Sequence, residues 1–121
     1  MLSLENNFDP HSIRIAKGSL YLSSELCQLY LPDISAIALL IRNNQVFLLP
    51  LHSTTAGGIL LKMRNAHGDR VAHALEFLLS IGIDADSPEL SYSARWMTEV
   101  AGLQLVGLQT NVILDPSAAV I

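Results

Sequence analysis

The apolar positions of this chain change their spacing several times, and each change marks an element. The clearest pattern is IALLIR-NN-QVFLLPL, residues 37–51. Asparagine tolerates positive φ, so Asn43-Asn44 suits the type I′ turn that matches strand twist. A two-residue loop sets Arg42 opposite Gln45, Ile41 opposite Val46, Leu40 opposite Phe47 and Leu39 opposite Leu48. Paired residues share a face. One face therefore carries Ala38, Leu40, Phe47 and Leu49, and the other Ile37, Leu39, Ile41, Val46 and Leu48. Both are apolar, so this hairpin needs a helix, a second sheet or a partner chain on each side.

Upstream, Ile13, Ile15, Leu20 and Leu22 alternate around Lys17-Gly18, which fits two short strands or one strand bent at Gly18. Ser23 and Ser24 then cap a short helix through about Tyr30, with Glu25 in its first turn, and Pro32-Asp33 ends it. Downstream of a polar loop, 52–58, residues 59–64 alternate again: Ile59, Leu61 and Met63 on one side, Leu60, Lys62 and Arg64 on the other. From Asp69 the period lengthens. At about 100° per residue, Val71, Ala72, Ala74, Leu75, Leu78, Leu79 and Ile81 fill one half of a wheel, which predicts an amphipathic helix over about 69–81. Asp69 is its N-cap and Gly82 its C′ glycine. Residues 91–97 and 103–109 alternate and read as a second hairpin, although Ser87-Pro88-Glu89 also suits a helix start.

These elements predict an α+β fold: a small, mostly antiparallel sheet with one main amphipathic helix and a short early one. Residues 1–12, with a turn at Asp9-Pro10, form a polar lead-in, 13–114 a single domain, and 115–121 a loose tail.

Composition adds a partner. Only 15% of the 121 residues are charged and half are hydrophobic, against about a quarter charged in ordinary soluble domains. A small chain so poor in charge is expected to cover apolar surface with another copy of itself, as a homodimer or higher. The net charge of −4 gives no global attraction to nucleic acid or anionic membrane. The single cysteine, Cys27, excludes an internal disulfide and fits a reducing compartment. No secretory pattern opens the chain and no apolar run is long enough to span a bilayer, so a cytoplasmic protein without membrane contact is expected.

Candidate chemistry gathers at 62–73. Lys62, Arg64 and Arg70 are three of the seven basic residues, and His67 and His73 two of the four histidines. With Asn65 they make the predicted ligand- or anion-binding set. Arginines beside a helix start suit a phosphate or carboxylate. His67, Asp69 and His73 have the spacing for a divalent metal, but a capping Asp69 and a solvated His73 account for them first, so no metal or cofactor is assigned. No Walker A, G-x-G-x-x-G or G-x-S-x-G pattern occurs, no catalytic residue is identified, and Cys27 beside Leu26 and Leu29 reads as a small buried hydrophobe.

Residues 17–50 resemble the swapped-hairpin unit of AbrB-type and MraZ-type DNA-binding proteins. The matching stretches are Lys17-Gly18-Ser19-Leu20-Tyr21-Leu22-Ser23, then Ser24-Glu25-Leu26, then the hairpin around Asn43-Asn44. The resemblance implies an intertwined dimer and a transcription regulator. Its basic residues here are only Lys17 and Arg42, and phosphate contacts need several per site. The leading expectation is thus a non-catalytic binding or regulatory module acting as a homo-oligomer. An AbrB-like DNA-binding regulator comes second, and a metal- or anion-dependent enzyme using 62–73 third.

Overall fold

The computed structural model describes residues 11–52 and 57–110. The predicted lead-in turn at Asp9-Pro10, most of the 52–58 loop and the tail from 115 lie outside them. Within the described residues the chain forms nine strands and two short helices. In order these are β1 (Ser12–Ala16), β2 (Ser19–Leu22), α1 (Ser24–Tyr30), β3 (Ala36–Arg42), β4 (Gln45–Leu51), β5 (Ile59–Leu60), β6 (Lys62–Met63), β7 (Arg70–His73), α2 (Leu75–Ser80), β8 (Leu90–Met97) and β9 (Gly102–Gln109). No described helix is long and apolar enough to cross a membrane.

The local turns follow their residues. Lys17 and Gly18 both take positive φ (53° and 77°), as do Asn43 and Asn44 (54° and 63°), so each pair makes a tight turn with hairpin-compatible twist. The β3–β4 register is the one the Asn-Asn turn dictates, from Arg42 opposite Gln45 to Ala36 opposite Leu51. Ser23 caps α1 by accepting a hydrogen bond from the Leu26 amide at 3.1 Å. The hairpin reading of the last third also holds, with Trp96 opposite Leu103 and Ser93 opposite Val106.

The α+β prediction is overturned. All nine strands join one antiparallel sheet in the order β5-β3-β4-β9-β8-β1-β2-β7-β6. The two ends of that order are adjacent in the chain. Ile59-Leu60 pair with β3, Leu61 adds a 2.9 Å backbone bond to Ser35, and Lys62-Met63 pair with β7. One short segment therefore bridges both edges and nearly closes a barrel, which leaves few unpaired edge groups.

The predicted helix over 69–81 is the element that failed. Its first half is strand β7, paired with β2 from Arg70 opposite Leu22 to His73 opposite Ser19. The 3.6-residue period of 71–81 is real, but β2 has an open edge and pairing along it satisfies amides that a helix would leave facing that edge. Only 75–80 is helical, and its N-cap, Ala74, has no side-chain bond to offer. The predicted stop is observed: Gly82 (φ 88°) and Ile83 send their amides back to Leu79 and Leu78, a Schellman ending with Ile83 and Leu78 both buried.

The barrel interior is built in rows. Leu90, Ile15, Leu20 and Ala72 are cross-strand neighbours, as are Tyr92, Ile13 and Leu22, and as are Trp96, Leu103, Leu48 and Leu39. Ile13, Ile15, Leu20, Leu22, Leu48 and Leu103 are fully buried. The helices follow opposite ends of the β2–β7 pair. Leu26 and Cys27 of α1 and Leu78 of α2 all join the same core.

Candidate functional site

The segment 62–73 runs from the outer wall, round a tight loop and back into the sheet, and Asp69 holds the loop together. Its carboxylate accepts from the Ser24 backbone amide and from Asn65 Nδ2, both at 2.9 Å. Asn65 Oδ1 in turn accepts from the amides of His67 (3.0 Å) and Asp69 (3.2 Å). The side-chain bond from Asn65, then the amide of Ser24, hold the Asp69 carboxyl below the usual carboxylate range. Asp69 thus serves a helix start, but that of α1, some forty-five residues earlier in the chain. Asn65 is a brace, and His67 is exposed at the loop tip.

On the outer wall the register carries a row across five strands: Lys62, Val71, Tyr21, Arg14 and Ser91. Arg14 reaches Tyr21 from β1, with its guanidinium carbon 5.2 Å from the ring centroid. Arg64 reaches the same ring from beyond β7, at 5.0 Å. Tyr21 is half-buried and holds both guanidiniums by cation–π attraction, worth about 0.5–1 kcal/mol each at such a surface. Between them lies a hollow of about 60 Å³ lined by Arg14, Tyr21, Leu22, Ser23, Arg64 and Asp69. Arg14 has one carboxylate partner, Glu89, at 3.3 Å. Among the described residues neither Arg64 nor Lys62 has an acidic partner within ion-pair distance. The hollow is small, and the Asp69 carboxylate that lines it, kept ionised by its two hydrogen bonds and drawn to Arg64, sets one negative charge against the guanidiniums.

The predicted set therefore divides. Lys62 and Arg64 lie on the wall. Arg70 lines a separate cleft beneath α1. His73 faces Ser19, its Nδ1 2.7 Å from Ser19 Oγ; Ser19 is buried while the histidine is exposed. His67, Asp69 and His73 do not converge, and no group of three His, Cys, Asp or Glu side chains among the described residues could hold a metal ion.

Cys27 is free and buried, and desolvation pushes its thiol up to about 11, so the thiolate needed for nucleophilic chemistry is suppressed. Trp96 stacks on Tyr30 of α1 (centroids 5.8 Å apart, planes 2° apart) and packs against the core. That is a structural use of the aromatic pair.

Sequence reasoning passed over Arg14 and Tyr21, yet their signal was present. Ile13 and Ile15 alternate inward, as do Leu20 and Leu22, which turns Arg14 and Tyr21 outward. A two-residue turn at Lys17-Gly18 then sets the pair directly opposite one another. The approach of Arg64 has no such local signal. No family model matches this chain, and no curated protein or solved structure does either.

Proposed function

We propose that this chain is a small non-catalytic binding module that takes an anionic ligand on the wall formed by β6, β7, β2 and β1 and works as a homo-oligomer in the cytoplasm. The observation that carries the reading is the tyrosine ring shared by two guanidiniums, in a chain with only seven basic residues. Arginines stacked on an aromatic ring are already oriented, so they lose less freedom when they bind a phosphate or carboxylate. Lys62, on the same row, adds a third positive charge.

Self-association is supported by the opposite wall. On β5, β3 and β4 the outward residues Leu60, Ala38, Leu40 and Leu49 share a face by register, with Arg42 at its turn end. Leu60 is 56% exposed and Leu40 38%. A patch with exposed leucines, whose charge on this face of the hairpin is Arg42 at the turn end, favours a second copy on so small a protein.

Isothermal titration with pyrophosphate and with citrate tests the ligand class. Wild-type protein is expected to bind at least one of them, and Arg64→Gln to weaken that binding about tenfold. Absence of binding by wild type, or equal affinity in the variant, rejects the wall as the site. Light scattering at micromolar concentration reads the oligomer, and a monomer rejects that half of the reading. The wall is also the surface a DNA-binding regulator would use. A gel shift at about 50 mM salt that Arg64→Gln abolishes would favour that alternative.

A further inference from the structure

Independently of the wall, we propose that the cleft between α1 and the 65–69 loop is a second site, built for a small zwitterion of the amino-acid class. The cleft encloses about 270 Å³ and shares no residue with the hollow at Tyr21. That is near the lower end of small-molecule pockets, about 300–1,000 Å³, and suits a ligand of a few heavy atoms. Its lining comes from Cys27 and Gln28 of α1, the Leu31–Asp33 turn, and Gly68 and Arg70.

Arg70 is short of acceptors. Its Nε is buried with no hydrogen-bond partner, and Nη1 reaches only the Leu61 carbonyl, at 3.4 Å. Buried guanidinium donors are ordinarily satisfied; Nε here is closed to solvent, so a carboxylate in the cleft would meet the terminal Nη nitrogens. Among the described residues no acid lies within ion-pair distance of Arg70.

Asp33 lines the same cleft, exposed, on a left-handed turn (φ 61°). Arg70 and Asp33 thus border one small space with opposite charges and do not pair with each other. A ligand that satisfies both must carry a carboxylate and a separate ammonium. The remaining lining suits it. Leu31 and Pro32 are apolar, and the Cys27 thiol, held protonated by burial, sets no negative charge against the carboxylate.

Nuclear magnetic resonance titration of the full chain with L-alanine, propionate and propylamine tests this. Alanine is expected to shift the amides of Gln28, Asp33 and Arg70, with propionate and propylamine each at least about tenfold weaker. Arg70→Met is expected to abolish alanine binding. Asp33→Asn, at an exposed position where folding is not at stake, is expected to weaken alanine about tenfold while leaving propionate unchanged. Arg64→Gln should leave alanine binding intact, which separates this site from the wall. No alanine binding by wild type, equal binding of alanine and propionate, or an unaffected Asp33→Asn variant would each overturn the proposal.

Discussion

Replacing Asp69 by alanine should cost more stability than its place in a surface loop suggests. The carboxylate anchors two donors at 2.9 Å, the Ser24 amide at the first turn of α1 and Asn65 Nδ2. Hydrogen bonds to a charged group are worth about 1.5–3 kcal/mol each. Asp69 is partly exposed, and Asn65 can turn to water instead, so the lower end applies and the pair sums to about 2–3 kcal/mol. For a chain of this size that is a fall in Tm of roughly 8–12 °C. The sign of the pH effect follows from the same bonds. The folded Asp69 carboxyl titrates below its ordinary value, so its stabilisation is complete above about pH 4, the unfolded value, and is lost as pH falls through the folded one. Urea unfolding followed by far-ultraviolet circular dichroism at pH 7 and pH 3 measures both. Asp69→Ala should unfold at lower urea at pH 7 and differ less from wild type at pH 3. A variant with the wild-type midpoint at pH 7, or a gap that does not narrow in acid, refutes Asp69 as the anchor of the loop.

Two further outcomes follow from close contacts. A Cβ at Gly102 would stand 2.7 Å from the Leu48 carbonyl oxygen and 3.3 Å from the Leu49 Cα. Gly102→Ala must therefore push β9 off β4, with a loss of about 1–3 kcal/mol in chemical denaturation and a weakened hairpin end in hydrogen exchange. Cys27, raised to about 11 by burial, should react with a thiol reagent at pH 8 roughly two hundredfold more slowly than a free cysteine, whose pKa is near 8.5. Because the folded thiol is the weaker acid, Cys27 contributes stability that is complete below about pH 8.5 and is lost as pH rises towards its folded value. Fast labelling of native protein at pH 8 would contradict this.

The parts of the fold legible in the sequence are those fixed by neighbours in the chain. Asn43-Asn44 and Lys17-Gly18 set two hairpin registers through their own backbone conformations. Ser23 states the start of α1, and Gly82 the end of α2. What was not legible depends on distant partners. Residues 70–73 carry a helical period, yet β2 recruits them as a strand, and no local pattern reveals that an edge about fifty residues away is open. Barrel closure by 59–63 has the same character, since each half of that segment bonds to a different strand. The candidate site mirrors this division. The pairing of Arg14 with Tyr21 could be read from one hairpin, whereas the arrival of Arg64 needs the β2–β7–β6 order. The separation of Arg70 from Arg64, six residues apart, needs the Asp69 loop that sends them to different surfaces.

The central claim is that the wall at Tyr21 receives an anionic group. Backbone amide shifts of uniformly labelled protein during titration with pyrophosphate test it most directly. The account predicts saturable changes concentrated at Arg14, Tyr21, Lys62 and Arg64, and their loss in Arg64→Gln. Shifts centred elsewhere on the barrel, or none at millimolar pyrophosphate, would contradict it.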